Sequence, residues 1–192
     1  MLMNRILGAF MFKKEVYAEV ENDASFTSTA WTLVAVVAFL VQLGTNSVAA
    51  TTNGWIIGTI IGTIVSLVAF AVGAFLIAWV GKSLFNATVT FDEMVRTLGL
   101  AYVWTIVGAV ALLGSLSDTL ACVLTPALCI GAILGLVSWF IAAREALDLD
   151  TGQTLITVIV GWVASFLVTL IVGGILAGLG LGAAALGGAL GQ

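Results

Sequence analysis

The segment TVTFDEMVRTLGLAYVW, Thr88 to Trp104, brings together Asp92, Glu93 and Arg96 in a chain whose charged residues are only 8% of the total. Paired carboxylates of this kind can hold a divalent ion, and with Asp148 they supply the ligands an enzyme-like site would need. A second charged group, Arg144, Glu145, Asp148 and Asp150, lies further along the chain. Asp148 and Asp150 can face Arg96 or Lys82 as solvated ion pairs of little energetic weight, or they can form a metal or partner site. Cys122 and Cys129 are the only thiols. They reach disulfide distance if Cys122 sits in a loop, and stay two turns apart as inert thiols if both are helical.

The chain has no histidine. That removes imidazole ligation of a haem, a zinc ion or a chlorophyll-type pigment, and with it His-based acid–base or triad catalysis. No cofactor is expected, and the balance of chemistry points away from an enzyme.

These residues must be positioned by elements built for lipid. A 61% hydrophobic chain cannot present the charged surface, roughly 25% of residues, that keeps a soluble domain dispersed. The expected fold is all-α and polytopic, with five membrane spans at about residues 27–43, 55–80, 98–115, 126–143 and 154–177. The fourth is expected to start at Pro126 with Thr125 as its cap, and the fifth after Asp150. Residues 1–23 form an N-terminal segment whose first twelve residues, MLMNRILGAFMF, read as retained rather than as an export signal. They suit a short helix in the headgroup layer, with Ile6, Leu7, Phe10, Val16, Tyr17 and Val20 facing the apolar side. The membrane domain then covers residues 24–178, and a Gly/Ala-rich tail covers 179–192, with a bend expected between Gly178 and Gly182.

With five spans, all six lysines and arginines fall on one face, so the positive-inside bias puts the N-terminus in the cytoplasm and the C-terminus outside. Trp31, Trp79, Trp104 and Trp139 then read as inner interfacial anchors and Trp55 as an outer one, while Trp162 lies too deep. On this threading Thr90 and Glu93 form a capping box, Val89 and Met94 a hydrophobic staple, and Asp92 and Glu93 start a helix. Arg96 is expected to raise its guanidinium to the headgroups.

The strongest positive signal is small residues at four-residue spacing: Gly58 and Gly62, Gly131 and Gly135, and Gly174, Gly178 and Gly182. Such faces let backbones approach, here against another membrane protein or a second copy. Thr59, Thr63 and Ser66 add a weakly polar stripe that either bonds within the bundle or lines a pore. The mixed charges of the loops argue against a nucleic-acid partner.

Two stretches, GKSLFNATVTFDEMVRTLGLAYV and WFIAAREALDLDTGQTLITVIVGW, resemble the Yip (Ypt-interacting protein) domain family in its bacterial branch. The resemblance implies a five-helix, non-enzymatic membrane protein of the bacterial inner membrane. It departs from the family where a proline often follows the Tyr102 position; here Val103 and Trp104 follow, so no proline kink is expected in span three. The eukaryotic tyrosine-rich segment is missing too, so Rab-type GTPase binding does not carry over. The expected role is a scaffold or accessory subunit packed against membrane proteins, within an energy-transducing or photosynthetic complex. The rival is a small oligomeric permease or channel.

Overall fold

The computed structural model describes residues 2–48 and 51–178, and among them there are helices and connections but no strand. In chain order the helices are α1 (Leu2–Phe10), α2 (Lys14–Glu21), α3 (Phe26–Thr45), α4 (Thr52–Phe85), α5 (Phe91–Ala101), α6 (Ala111–Gly114), α7 (Asp118–Leu147) and α8 (Thr151–Gly178). A 3₁₀ turn over Asn46–Val48 follows α3, and a longer 3₁₀ segment, Tyr102–Val110, joins α5 to α6. Five stretches are long and apolar enough to cross a bilayer: Phe26–Thr45, Thr52–Phe85, Phe91–Gly114, Asp118–Leu147 and Thr151–Ile175. The chain is an all-α, multi-pass membrane protein. The tail with Gly182, and the bend expected there, lie outside the described residues.

Local chemistry accounts for most helix ends. The Thr51 hydroxyl accepts from the Gly54 N–H at 3.1 Å and starts α4. Asn86 ends it in the left-handed region, φ 57°, with the Ala87 N–H returning to the Gly81 carbonyl at 3.0 Å. The capping box at α5 is complete, Glu93 N–H to Thr90 Oγ1 at 3.2 Å and Thr90 N–H to Glu93 Oε2 at 2.6 Å. Its staple residues, Val89 and Met94, are both buried. Asp150 Oδ1 accepts from the Gln153 N–H at 2.9 Å and starts α8.

Span four departs from expectation. Its helix begins at Asp118, where the Ser117 hydroxyl caps the Leu120 N–H at 3.2 Å, and Pro126 lies well inside it. A serine followed by an acid is the stronger start signal, and a membrane helix tolerates an internal proline. Thr125 is therefore no cap; its hydroxyl donates to the Ala121 carbonyl at 2.9 Å. Both cysteines are consequently helical, exposed and free, about 10 Å apart along the axis, so the bridge reading is set aside.

The N-terminal segment also differs. It forms two short helices folded against the bundle, with Ala9, Tyr17 and Val20 completely buried in protein. Arg5 ties the pair together: its guanidinium meets Glu19 at 2.7 Å and Asp23 at 2.8 Å and lies 5.0 Å over the Phe26 ring. An aromatic hub sits further in. Phe70 meets Trp31, Tyr102 and Trp139 edge-on, at centroid distances of 5.6, 5.5 and 6.0 Å. Trp31 and Trp139, expected as interfacial anchors, thus turn inward, whereas Trp79 stays exposed. At the opposite end of the bundle packing thins, and no residue of α7 from 118 to 130 is buried.

Candidate functional site

Arg96 is the polar centre of the end of the bundle that carries all six lysines and arginines, called the basic end although nine of the ten acids share it. It is only 7% exposed, and its guanidinium turns into the protein. Nε donates to the Val20 and Glu21 carbonyls, both at 3.0 Å, Nη2 also donates to the Glu21 carbonyl, and Nη1 donates to Thr27 Oγ1 at 3.2 Å. These carbonyls close the last turn of α2, where the helix dipole is negative. A buried charge is tolerable here because oriented neutral acceptors replace its water. The expectation that Arg96 reaches the headgroups is overturned, and the reason is that α2 lies above it.

The same seam is closed by Tyr17, whose hydroxyl bonds Ser138 Oγ at 2.8 Å across 121 residues of sequence. Next to it, Trp104 Nε1 donates to the Ala9 carbonyl at 3.2 Å, and its ring stacks on Phe12 at 5.1 Å and 11°. Phe12 holds φ at 55°, a conformation a bulky side chain adopts only when its surroundings hold it there.

Two openings flank that stack. The first is a cleft of about 380 Å³ at membrane depth between α4, the long 3₁₀ segment, α7 and α8; Phe70, Trp104, Gly135, Leu136, Trp139 and Trp162 are among its lining. The second is a recess of about 420 Å³ at the basic end, lined by Phe12, Lys14, Phe140, Ile141, Arg144, Glu145, Asp148 and Leu149. Arg144, Glu145 and Asp148 thus gather with Lys14. The pairing expected between the acids of this loop and Arg96 or Lys82 does not form; the only ion pairs among the described residues are those of Arg5. Nor do Asp92, Glu93 and Asp148 form a metal-binding group among the described residues.

Electrostatics at this end are acidic around Glu21. Burial pushes its carboxyl above the ordinary glutamate value, and Asp148, Glu93 and Glu145 add to the effect by repulsion. Asp23 goes the other way, held low by hydrogen bonds from Ser25 and Arg5.

The glycine faces are largely used within the chain. A Cβ on Gly58 would stand 2.6 Å from Asn46 Oδ1, one on Gly62 would strike the Gln42 side chain, and one on Gly131 would strike Val107. Gly135 lines the cleft, and Gly174 has open space around it. Three of these glycines therefore serve neighbouring helices rather than an outside partner. The hydroxyl stripe is also engaged: Gln42 Nε2 donates to Ser66 Oγ at 3.2 Å, Thr63 to the Thr59 carbonyl at 2.7 Å, and Thr59 points to the Gln42 carbonyl at 3.4 Å.

A model of the Yip1 domain matches residues 7–188. The chain belongs to the Yip1 domain family. No curated protein and no solved structure matches it significantly. The family match spans both the basic-end seam and the membrane cleft, so both are built within the Yip1 domain.

Sequence reasoning missed the closest helix pairing of this domain. Gly73 and Gly161 let α4 and α8 touch: a Cβ on Gly161 would meet Ile77 and stand 3.0 Å from the Gly73 carbonyl. Ser165 Oγ lies 3.0 Å from both the Ala69 and Gly161 carbonyls, which ties the two helices together. The signal was available as Ala69-x-x-x-Gly73 opposite Gly161-x-x-x-Ser165, two small-residue repeats in different spans.

Proposed function

We propose that this Yip1-family chain is a non-enzymatic membrane scaffold, seated with its basic end toward the cytoplasm of a bacterial inner membrane, which packs against other integral membrane proteins. The observation that carries the reading is α7 from 118 to 130, where no residue is buried. A lipid-facing helix normally hides one side against its neighbours; here only Leu124 and Leu128 are even partly covered, so most of the circumference is open, as on a helix that docks into a partner. The bundle's polar groups support a packing role over a pore, because Gln42, Thr63, Ser66 and Ser165 already bond one another or nearby carbonyls.

Cys122 and Cys129 are exposed on this segment and serve as native reporters. A thiol-directed photocrosslinker placed on them in intact membranes is expected to give one discrete protein adduct, abolished by Val123→Trp and Ala127→Trp while thermal unfolding is unchanged. Adducts with lipid alone, or a protein adduct indifferent to both substitutions, would remove the scaffold role from this helix.

A further inference from the structure

One line of side chains on α7 runs past both openings. Ala132, Leu136, Phe140 and Arg144 recur every four residues; the first two line the membrane cleft and the last two line the recess. At about 1.5 Å per residue, Arg144 stands roughly 18 Å from Ala132 along the axis. That is close to the depth from the headgroup layer to the middle of a hydrocarbon core about 30 Å thick. The Phe12–Trp104 stack lies between the two openings, with Phe12 lining the recess and Trp104 the cleft, so a molecule that occupies both must lie across this stack along α7.

The two ends differ in chemistry as the two ends of an amphiphile do. The recess holds two cations, Lys14 and Arg144, and two carboxylates, Glu145 and Asp148, and none of the four is in an ion pair among the described residues. The cleft is walled mainly by aromatic and aliphatic groups, and its Ser165 hydroxyl is already bonded between α4 and α8. We infer that the recess and the cleft together bind one phospholipid whose headgroup carries both a phosphate and a primary ammonium, with an acyl chain in the cleft.

Charge complementarity selects that headgroup. Arg144 and Lys14 take the phosphate, the guanidinium by its planar fork and the ammonium as a point charge. A purely anionic headgroup would leave Glu145 and Asp148 facing further negative charge. A primary ammonium gives them N–H donors, whereas a quaternary one has none to give. Lys14, Arg144 and Asp148 are exposed and Glu145 is half-buried, so the charges stand where a headgroup meets water, while Phe12, Phe140, Ile141 and Leu149 supply an apolar wall beside them.

The test uses the full chain reconstituted in bilayers of equal parts ethanolamine, choline and glycerol phospholipids with matched acyl chains, then gently extracted and weighed by native mass spectrometry. One ethanolamine phospholipid is expected to stay bound in preference to the other two. Arg144→Gln or Lys14→Gln should weaken its retention roughly fivefold, the effect of removing one cation near a phosphate surface. Asp148→Asn keeps a residue that tolerates the left-handed backbone, so it should erase the choice of ethanolamine over choline without loss of fold. Gly135→Leu has room for its Cβ, 3.8 Å from Trp104, and should expel the chain by filling the cleft. Free glycerophosphoethanolamine in excess should fail to displace the lipid. Equal retention of all three lipids, a preference for the glycerol lipid, indifference to both Arg144→Gln and Gly135→Leu, or displacement by the free headgroup would overturn the proposal.

Discussion

The two ends of this bundle are built on opposite principles. At the basic end, polar atoms are buried and answered: Arg96 by three oxygens, Tyr17 by Ser138, Trp104 by the Ala9 carbonyl. At the other end, residues 119–130 of α7 are apolar or small and have no buried member. The contrast teaches where this chain gets its uniqueness. Apolar side chains gain little by meeting one another when lipid is an equally good solvent, so specific packing needs hydrogen bonds or close backbones. The basic end has both, whereas the opposite half of α7 has a close approach of Ala121 to Gly114 but, among the described residues, no hydrogen bond to another helix.

Removing the answer at Arg96 should break the comparison most strongly. Arg96→Met strips the Glu21 carbonyl and Thr27 Oγ1 of their guanidinium donors, leaves the Val20 carbonyl only the Asp23 N–H, and is expected to cost about 3 kcal/mol. Limited proteolysis should then cut residues 1–25 quickly, while Leu116→Ala at the opposite end, 72% exposed, leaves the digestion pattern unchanged. Equal protection of the N-terminal helices in Arg96→Met would show that apolar burial alone holds them.

The close-backbone contribution is expected to be next in size. Gly161→Leu drives a side chain into Ile77 and the α4 backbone and should destabilise by about 2 kcal/mol, read as a lowered midpoint in mixed-micelle unfolding. Gly174→Leu, with open space around it, should leave that midpoint where it is. Tyr17→Phe is a finer probe. It deletes one bond at 2.8 Å and strands the buried Ser138 hydroxyl, so a loss of about 1 kcal/mol is expected by the same assay.

The smallest effect sharpens the electrostatic side. The folded state holds a proton on Glu21 more tightly than the unfolded chain does, so this group lowers stability as pH rises through its raised folded pKa. Glu21→Gln should therefore raise the unfolding midpoint at neutral pH, and its advantage should vanish on acidification toward the ordinary glutamate range. Asp23 has the reverse sign: it contributes stability above the ordinary aspartate range and loses it as pH falls through its lowered folded pKa. A Glu21→Gln advantage that persists in acid would assign the gain to something other than charge.

Much of this molecule was legible from residue types in order. Thr90 and Glu93 are a capping box at any tertiary address, because their bonds close within one turn. The start of α7 was also legible, in Ser117 and Asp118, but Pro126 drew the boundary later than the stronger signal warranted. Glycine spacing showed which residues permit close approach, not which helix approaches. Gly58 and Gly62 meet α3 or its end, whereas Gly73 and Gly161 make the α4–α8 pairing.

The sequence by itself determined that lipid surrounds this chain, that five stretches cross it and where most helices begin and end, since hydropathy and caps act over one to a few turns. Tertiary structure alone decided that Arg96 points inward, that Tyr17 finds Ser138, and that Lys14 joins Arg144, Glu145 and Asp148 around one recess. The reason is distance along the chain: those partners lie between 69 and 134 residues apart, and no local spacing rule reaches that far.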